Sequence, residues 1–136
     1  MGMRAHISRS VLIGIRRISA DAAPREACGL LFGAPDRITG WQAVENVAEE
    51  PERRFEIEPG ALFAALRAER AGGPKILGYW HSHPSGDASP SVTDAAMAQP
   101  DGKLWLIVAR DGATLWRAEN QARLHGRFKP MEFTLT

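Results

Sequence analysis

His81 and His83 precede a carboxylate, Asp94, in the stretch His-Ser-His-Pro-Ser-Gly-Asp-Ala-Ser-Pro-Ser-Val-Thr-Asp. That spacing suits a single metal ion. An extended strand rises about 3.3 Å per residue and alternates faces, so the two imidazoles project from one side with their backbones roughly 7 Å apart. Their ring nitrogens can then converge. Zinc fits such a donor set, because it takes His nitrogen and carboxylate oxygen at about 2.0 to 2.2 Å and, when catalytic, keeps one position open for water. Taken singly, the same residues are ordinary: histidines that end a strand and an acid that starts a helix. The combination carries the reading.

The elements that would position these side chains are visible around them. Lys75-Ile-Leu-Gly-Tyr-Trp80 is apolar enough for a buried strand that delivers both imidazoles to its C-terminal end, where Pro84 stops it. Ser85 to Pro90 is turn-forming, and Ser91 to Ala98 predicts a short helix with Ser91 at its N-cap. Ser91 and Asp94 then share a face. A Ser-x-x-Asp pair is also a plain capping pattern, so the helix alone does not establish a ligand.

These residues resemble the JAMM, or MPN-plus, metal-dependent proteases and isopeptidases. That family's pattern is an upstream Glu, then His-(Ser/Thr)-His-Pro, six residues, and Ser-x-x-Asp. This chain has His81-Ser82-His83-Pro84, six residues, and Ser91-Val92-Thr93-Asp94, with Glu26 in Pro24-Arg-Glu-Ala-Cys-Gly-Leu-Leu-Phe-Gly33 as the upstream acid. The resemblance, with its flanks, covers about residues 8 to 118. It implies that His81, His83 and Asp94 hold one Zn²⁺ ion per chain with water completing the tetrahedron. Two neutral imidazoles and one carboxylate leave a net positive centre, which lowers the pKa of bound water towards roughly 7. Glu26 is then the general base that takes the water proton and returns it to the departing amine. Ser91 donates its hydroxyl to the oxyanion, sharing or losing its capping role. Removing one such donor typically costs about 10²- to 10³-fold in rate.

Other candidates have simpler readings. Without the resemblance, Glu26 would be a solvated residue ahead of an apolar strand. Cys28, two residues on, could share a strand face with it, but a lone Cys is more often a small buried residue. Asp87 rivals Asp94, yet it sits beside Gly86 in the turn, where Asp commonly bonds its own backbone. Asp94 is preferred. His6 and His125 have no partner at ligand spacing.

Composition agrees with a compact enzyme. A chain of 136 residues fits one domain, residues 1–136, and is long enough for a sizeable core. With 17 Lys and Arg against 16 acids, the net charge of +1 gives no sign of a nucleic-acid or membrane surface. One cysteine excludes an intrachain disulfide. The apolar patch Val11 to Ile15 is too short for a signal h-region or a bilayer span. Gly2 suggests myristoylation, but position 6 is His rather than Ser or Thr. The expected location is the cytoplasm.

Along the chain, Val11, Leu12, Ile15 and Ile18 lie at helical spacing within Ser8 to Ala20. Cys28 to Phe32, Ile38 to Val47 and Phe55 to Glu58 are expected strands. Between the last two, Glu49, Glu50, Glu52, Arg53 and Arg54 read as a solvated loop, although the resemblance puts this region near a substrate groove. Pro59 to Ala71 predicts a helix burying Leu62, Phe63 and Leu66. Lys103 to Arg110 and Ala113 to Glu119 flank Asp111-Gly112, a two-residue hairpin signal. Trp105 and Trp116 are expected in the core. Ala122 to Thr136 suggests a final strand or an irregular packed segment, at an edge because of Pro130.

Pattern alone supports α+β without ordering the strands. The resemblance implies one mixed β-sheet flanked by helices, an MPN/JAB-like, cytidine-deaminase-like architecture. It also implies the substrate class, an amide or isopeptide bond at the C-terminal tail of a small ubiquitin-like or sulfur-carrier-like protein ending in Gly-Gly, or a general peptide. Such a tail could pair through its backbone along a sheet edge. The alternative is a non-catalytic MPN-type interaction module with a structural metal or none. Structural zinc usually has four protein ligands, often several Cys, and this chain offers one Cys. An amidohydrolase barrel needs a longer chain, and the second deaminase element, Pro-Cys-x-x-Cys, is missing. The sequence leaves open the natural substrate, whether a homodimer forms, whether the chain acts alone, and what Cys28 and residues 49–54 do.

Overall fold

The computed structural model describes residues 4–136; the Gly2 expectation lies outside the described residues. The chain runs β1 (Ala5–Ile7), α1 (Arg9–Ala22), β2 (Cys28–Ala34), β3 (Arg37–Val44), α2 (Pro59–Arg70), β4 (Ile76–His83), α3 (Val92–Met97), β5 (Leu104–Ala109), β6 (Gly112–Ala122), β7 (Gly126–Met131) and β8 (Phe133–Leu135). Eight strands form one sheet in the order β7-β6-β5-β4-β2-β3-β1-β8. β4 runs parallel to β5 and antiparallel to β2, and β1 runs parallel to both β3 and β8, so the sheet is mixed as expected. Both tail strands lie at edges, and Pro130 sits in one of them, where a missing donor is tolerated.

β4 is central and buried on both faces, with its period of two sending alternate residues to two different cores. Trp80 joins Leu31, Ile38, Leu106 and Val108 in the core against which α1 packs Val11 and Ile15. The opposite face holds Cys28, Phe55, Trp105, Ala118 and Phe128. Trp80 fits because Gly29, paired with it on β2, has no Cβ; one there would collide with the Gln42 carbonyl and the Trp80 indole. That indole donates to the Gln42 carbonyl at 3.1 Å, which locks the ring behind the His-Ser-His segment.

Three expectations need correction. Phe55 to Glu58 is not a strand but meets β3's continuation only in an isolated Asn46–Ile57 bridge. The Asn46 side chain takes the Glu56 N–H that a ladder would use, and Glu58 instead caps α2, accepting from the Gly60 and Ala61 amides at 2.8 and 2.7 Å. β3 correspondingly ends at Val44 rather than Val47. α2 forms where expected but buries none of its residues: Phe63 is 60% exposed and Leu66 40%. The β5–β6 hairpin turns one residue early, since Ala109 pairs with Gly112. Among the described residues no helix is long and apolar enough to cross a membrane.

Candidate metal centre

β4 places His81 and His83 on the face that carries Phe55 and Trp105, and the loop after Pro84 returns the chain so that α3 starts opposite them. Asp94 stands in the first turn of α3. Its Oδ2 lies 3.1 Å from His81 Nε2 and 3.2 Å from His83 Nε2, and the two Nε2 atoms are 3.0 Å apart. Ligands held about 2.0 to 2.1 Å from one tetrahedral ion sit about 3.3 Å from each other. The triangle therefore fits an ion of zinc's size.

Each imidazole is aimed by its surroundings. His83 Nδ1 lies 2.8 Å from the Asp87 carbonyl and must donate to it, which leaves Nε2 free as a ligand. His81 is fully buried, with Phe55 stacked on it at a centroid distance of 4.3 Å and Trp105 edge-on at 5.7 Å. Its Nδ1 has no hydrogen-bond partner among the described residues. Burial outweighs the help of Asp94 and holds the His81 pKa below its ordinary value, so this ring stays neutral. For His83 burial pulls the same way, but hydrogen bonds to Asp94 and the Asp87 carbonyl, with the charges of Asp94 and Glu26, raise its pKa. Asp94 is buried too, yet its bonds to both histidines and to the Ser91 N–H hold it well below the usual carboxylate range.

Ser91 and Asp94 close a reciprocal cap. Ser91 Oγ accepts from the Asp94 N–H and Asp94 Oδ2 accepts from the Ser91 N–H, both at 2.9 Å. The Ser91 oxygen is used as an acceptor, which leaves its hydroxyl proton available for donation.

Glu26 sits just before β2, 6% exposed, with Oε1 lacking a hydrogen-bond partner among the described residues. Its carboxylate and one ring nitrogen each of His81 and His83 all lie within 4.8 Å of one another. Burial pushes the Glu26 pKa up to about 7, with the charge of His83 opposing and that of Asp94 adding. An unpaired buried carboxylate is unfavourable in a finished core. It makes sense where a cation and water complete the site.

Several supporting residues were not singled out in the sequence. Ser82, between the two histidines, points away from them, and its Oγ accepts from the Ala27 N–H at 2.8 Å, fixing the residue after Glu26. Asn46 and Phe55 support Glu26 and His81 from the 47–56 loop. The Asp87 side chain accepts from the Ser89 N–H, as a turn Asp does, while its backbone orients His83. The only available signals were a turn Asp and an asparagine ending a strand. Cys28 is fully buried, and burial followed by the charge of Glu26 pushes its thiol up to about 12, so it is an inert core residue. The 49–54 side chains Glu49, Glu50, Glu52, Arg53 and Arg54 are exposed as expected of a solvated loop. His125 reaches the Pro90 carbonyl at 3.1 Å and braces the segment before Ser91.

Comparison with known proteins agrees with this geometry. Residues 8–120 match the family model described as prokaryotic homologues of the JAB domain. A desampylase of Haloferax volcanii is 35% identical over 114 residues, 82% of each chain. A probable TtuB-protein conjugate cleaving protease of Thermus thermophilus is 32% identical over 98 residues, 72% of this chain and 66% of that one. A solution structure of a protein from Desulfitobacterium hafniense superposes with a TM-score of 0.80 at 23% identity, covering 97% of this chain and 92% of that one. The chain belongs to the family of prokaryotic JAB-domain homologues, the minimal JAMM/MPN type.

Proposed function

We propose that this metallopeptidase hydrolyses an isopeptide or peptide bond at the C-terminal tail of a small ubiquitin-like or sulfur-carrier-like protein, with residues 1–136 acting as one catalytic domain. The observation that carries the chemistry is the three-atom donor triangle of His81, His83 and Asp94 beside the unpartnered carboxylate of Glu26. The relatives named desampylase and probable TtuB-protein conjugate cleaving protease support the substrate class. A Gly-Gly tail lets the backbone of the substrate approach the buried donors closely, because glycine has no side chain.

One zinc ion bound by His81, His83 and Asp94 would supply a Lewis acid that acidifies water and polarises the scissile carbonyl. The protein's own residues do the rest. Glu26, poised near neutrality and without a competing partner, takes a proton as water attacks the carbonyl carbon and delivers it to the departing amine nitrogen. Ser91 donates its hydroxyl to the carbonyl oxygen as negative charge develops there, while Asp94 N–H holds the same Oγ in place. His83 is kept in register by the Asp87 carbonyl, and His81 by the aromatic wall of Phe55 and Trp105. The products are a carboxylate on the carrier and a free amine on its target.

An interaction module with a structural metal would need a fourth protein ligand. The fourth candidate here is Glu26, grouped with His81 and His83 within 4.8 Å, and in this reading it is the base beside a site left open for water rather than a fourth ligand. A cytoplasmic setting belongs to the same reading. The test uses an isopeptide-linked conjugate of a Gly-Gly-ended carrier. Chelation should abolish cleavage and one equivalent of zinc should restore it, with mass spectrometry placing the cut after the second glycine. Cleavage indifferent to chelation, or full turnover by Glu26→Gln, overturns the reading.

A further inference from the structure

Asn46 is buried to 8% exposure two residues past β3, and all its side-chain hydrogen-bonding capacity is used. Its Nδ2 donates to the Glu26 carbonyl at 2.9 Å and the Arg54 carbonyl at 3.0 Å, with the Pro51 carbonyl at 3.5 Å. Its Oδ1 accepts from the Ala48 and Glu56 amides, both at 3.0 Å. One side chain thus folds the 47–56 loop back on itself and ties it to Glu26. The loop answers with a second tie, since Pro51 accepts from the Glu26 N–H at 2.7 Å. The peptide groups on both sides of the Glu26 Cα are therefore set by this loop, and only then does the chain enter β2.

We propose that Asn46 is a positioning residue for the hydrolytic reaction, acting through Glu26 by fixing its backbone against the 47–56 loop. The inference rests on the reading of Glu26 as general base. It separates the loop's two ends by function. Phe55, at the far end, is held by its own stacking on His81 and Trp105, so the metal ligands keep their support when Asn46 changes. His81, His83 and Asp94 come from β4 and α3, and none of them bonds to Asn46. A displacement of the base by about 1 Å can cost on the order of 10²-fold in rate.

The test compares Asn46→Asp, which keeps the acceptor but loses both donated bonds, with Asn46→Ser, which is smaller and loses the bridge. In the zinc-loaded protein kcat should fall about 10- to 100-fold while KM stays within about threefold. Zinc stoichiometry should remain one per chain. Hydrogen exchange of the Glu26 amide should quicken at least about tenfold while that of Leu106, in the centre of the sheet, does not change. Added to Glu26→Gln, the Asn46 change should lower kcat by less than about twofold. Unchanged kcat and Glu26 exchange overturn the proposal. So does a loss of equal size in the Glu26→Gln background, a loss of zinc, or failure of both Asn46 variants to fold, since each makes the residue a general structural support. Full turnover by Glu26→Gln alone is a different failure: it removes the base assignment itself.

Discussion

The two faces of β4 do different work. On one, Trp80 is fully buried, locked by the Gln42 carbonyl and surrounded by aliphatic residues from α1 and the neighbouring strands. On the other, two residues' rise along the same strand brings imidazoles, carboxylates and an unpartnered oxygen into a space walled by Phe55 and Trp105. The first face is an apolar core finished by folding, with Ser19 Oγ on α1 its one buried side-chain oxygen without a partner among the described residues. The second leaves polar groups waiting. A stable sheet can carry such a cluster because its other face supplies the apolar burial.

Substitutions should separate the two faces. The largest effect is expected from Asp94→Ala, which removes one of the three proposed metal ligands and half of the α3 cap. The kcat/KM value for conjugate cleavage should fall at least about 10³-fold, about 4 kcal/mol, with zinc lost on dialysis. Ile15→Ala on the α1 side should cost about 2 to 5 kcal/mol of stability in urea denaturation, while the folded fraction still binds one zinc. If Ile15→Ala lost zinc without losing stability, the division between the faces would be wrong.

Glu26 sharpens the contrast by its pH dependence. Its folded pKa of about 7 lies above the unfolded value of 4.5, so the metal-free fold favours the protonated acid. Its favourable contribution is complete below pH 4.5 and is lost as pH rises through about 7. Replacing it with Gln removes that penalty. Metal-free Glu26→Gln should therefore be more stable than the parent above pH 7, by up to about 3 kcal/mol, with the difference vanishing below pH 4.5. Zinc should narrow the gap, because a nearby dication favours the ionised acid. Chemical denaturation at pH 4 and pH 8, with and without zinc, measures all four states. A Gln variant less stable at pH 8 would mean that Glu26 has a structural partner.

What the sequence disclosed follows from how local each signal is. The convergence of His81, His83 and Asp94 was legible because strand period and helix capping are local, and two-residue spacing plus Ser-x-x-Asp carries most of the geometry. The mixed sheet came from resemblance, since the order of strands depends on long-range pairing that no short pattern encodes. Phe55 to Glu58 looked like a strand because Phe55 and Ile57 alternate with acids, and no local rule shows that Asn46 intercepts the Glu56 amide. The roles of Asn46 and Ser82 escaped for the same reason: each joins segments far apart in the chain.

The two longer helices make the last distinction. α1 and α2 both show apolar residues at helical spacing, and periodicity reports which side of a helix is apolar but not how deeply it sinks. Ile15 is fully buried, whereas Phe63 and Leu66 keep 60% and 40% of their surface. Leu66→Ser should change stability by less than about 0.5 kcal/mol, the ordinary range for surface substitutions, and Phe63→Ser by no more than about 1 kcal/mol. Phe63 lies under the Arg67 guanidinium, 5.8 Å from its centroid, and an exposed cation–π contact is worth only about 0.5 to 1 kcal/mol. That contact is the upper bound on the larger of the two effects. Urea denaturation of both variants beside Ile15→Ala reads the difference directly. A cost above about 2 kcal/mol at Phe63 would require α2 to be packed as firmly as α1, and the side of the sheet that carries the metal centre would then be as closed as its reverse.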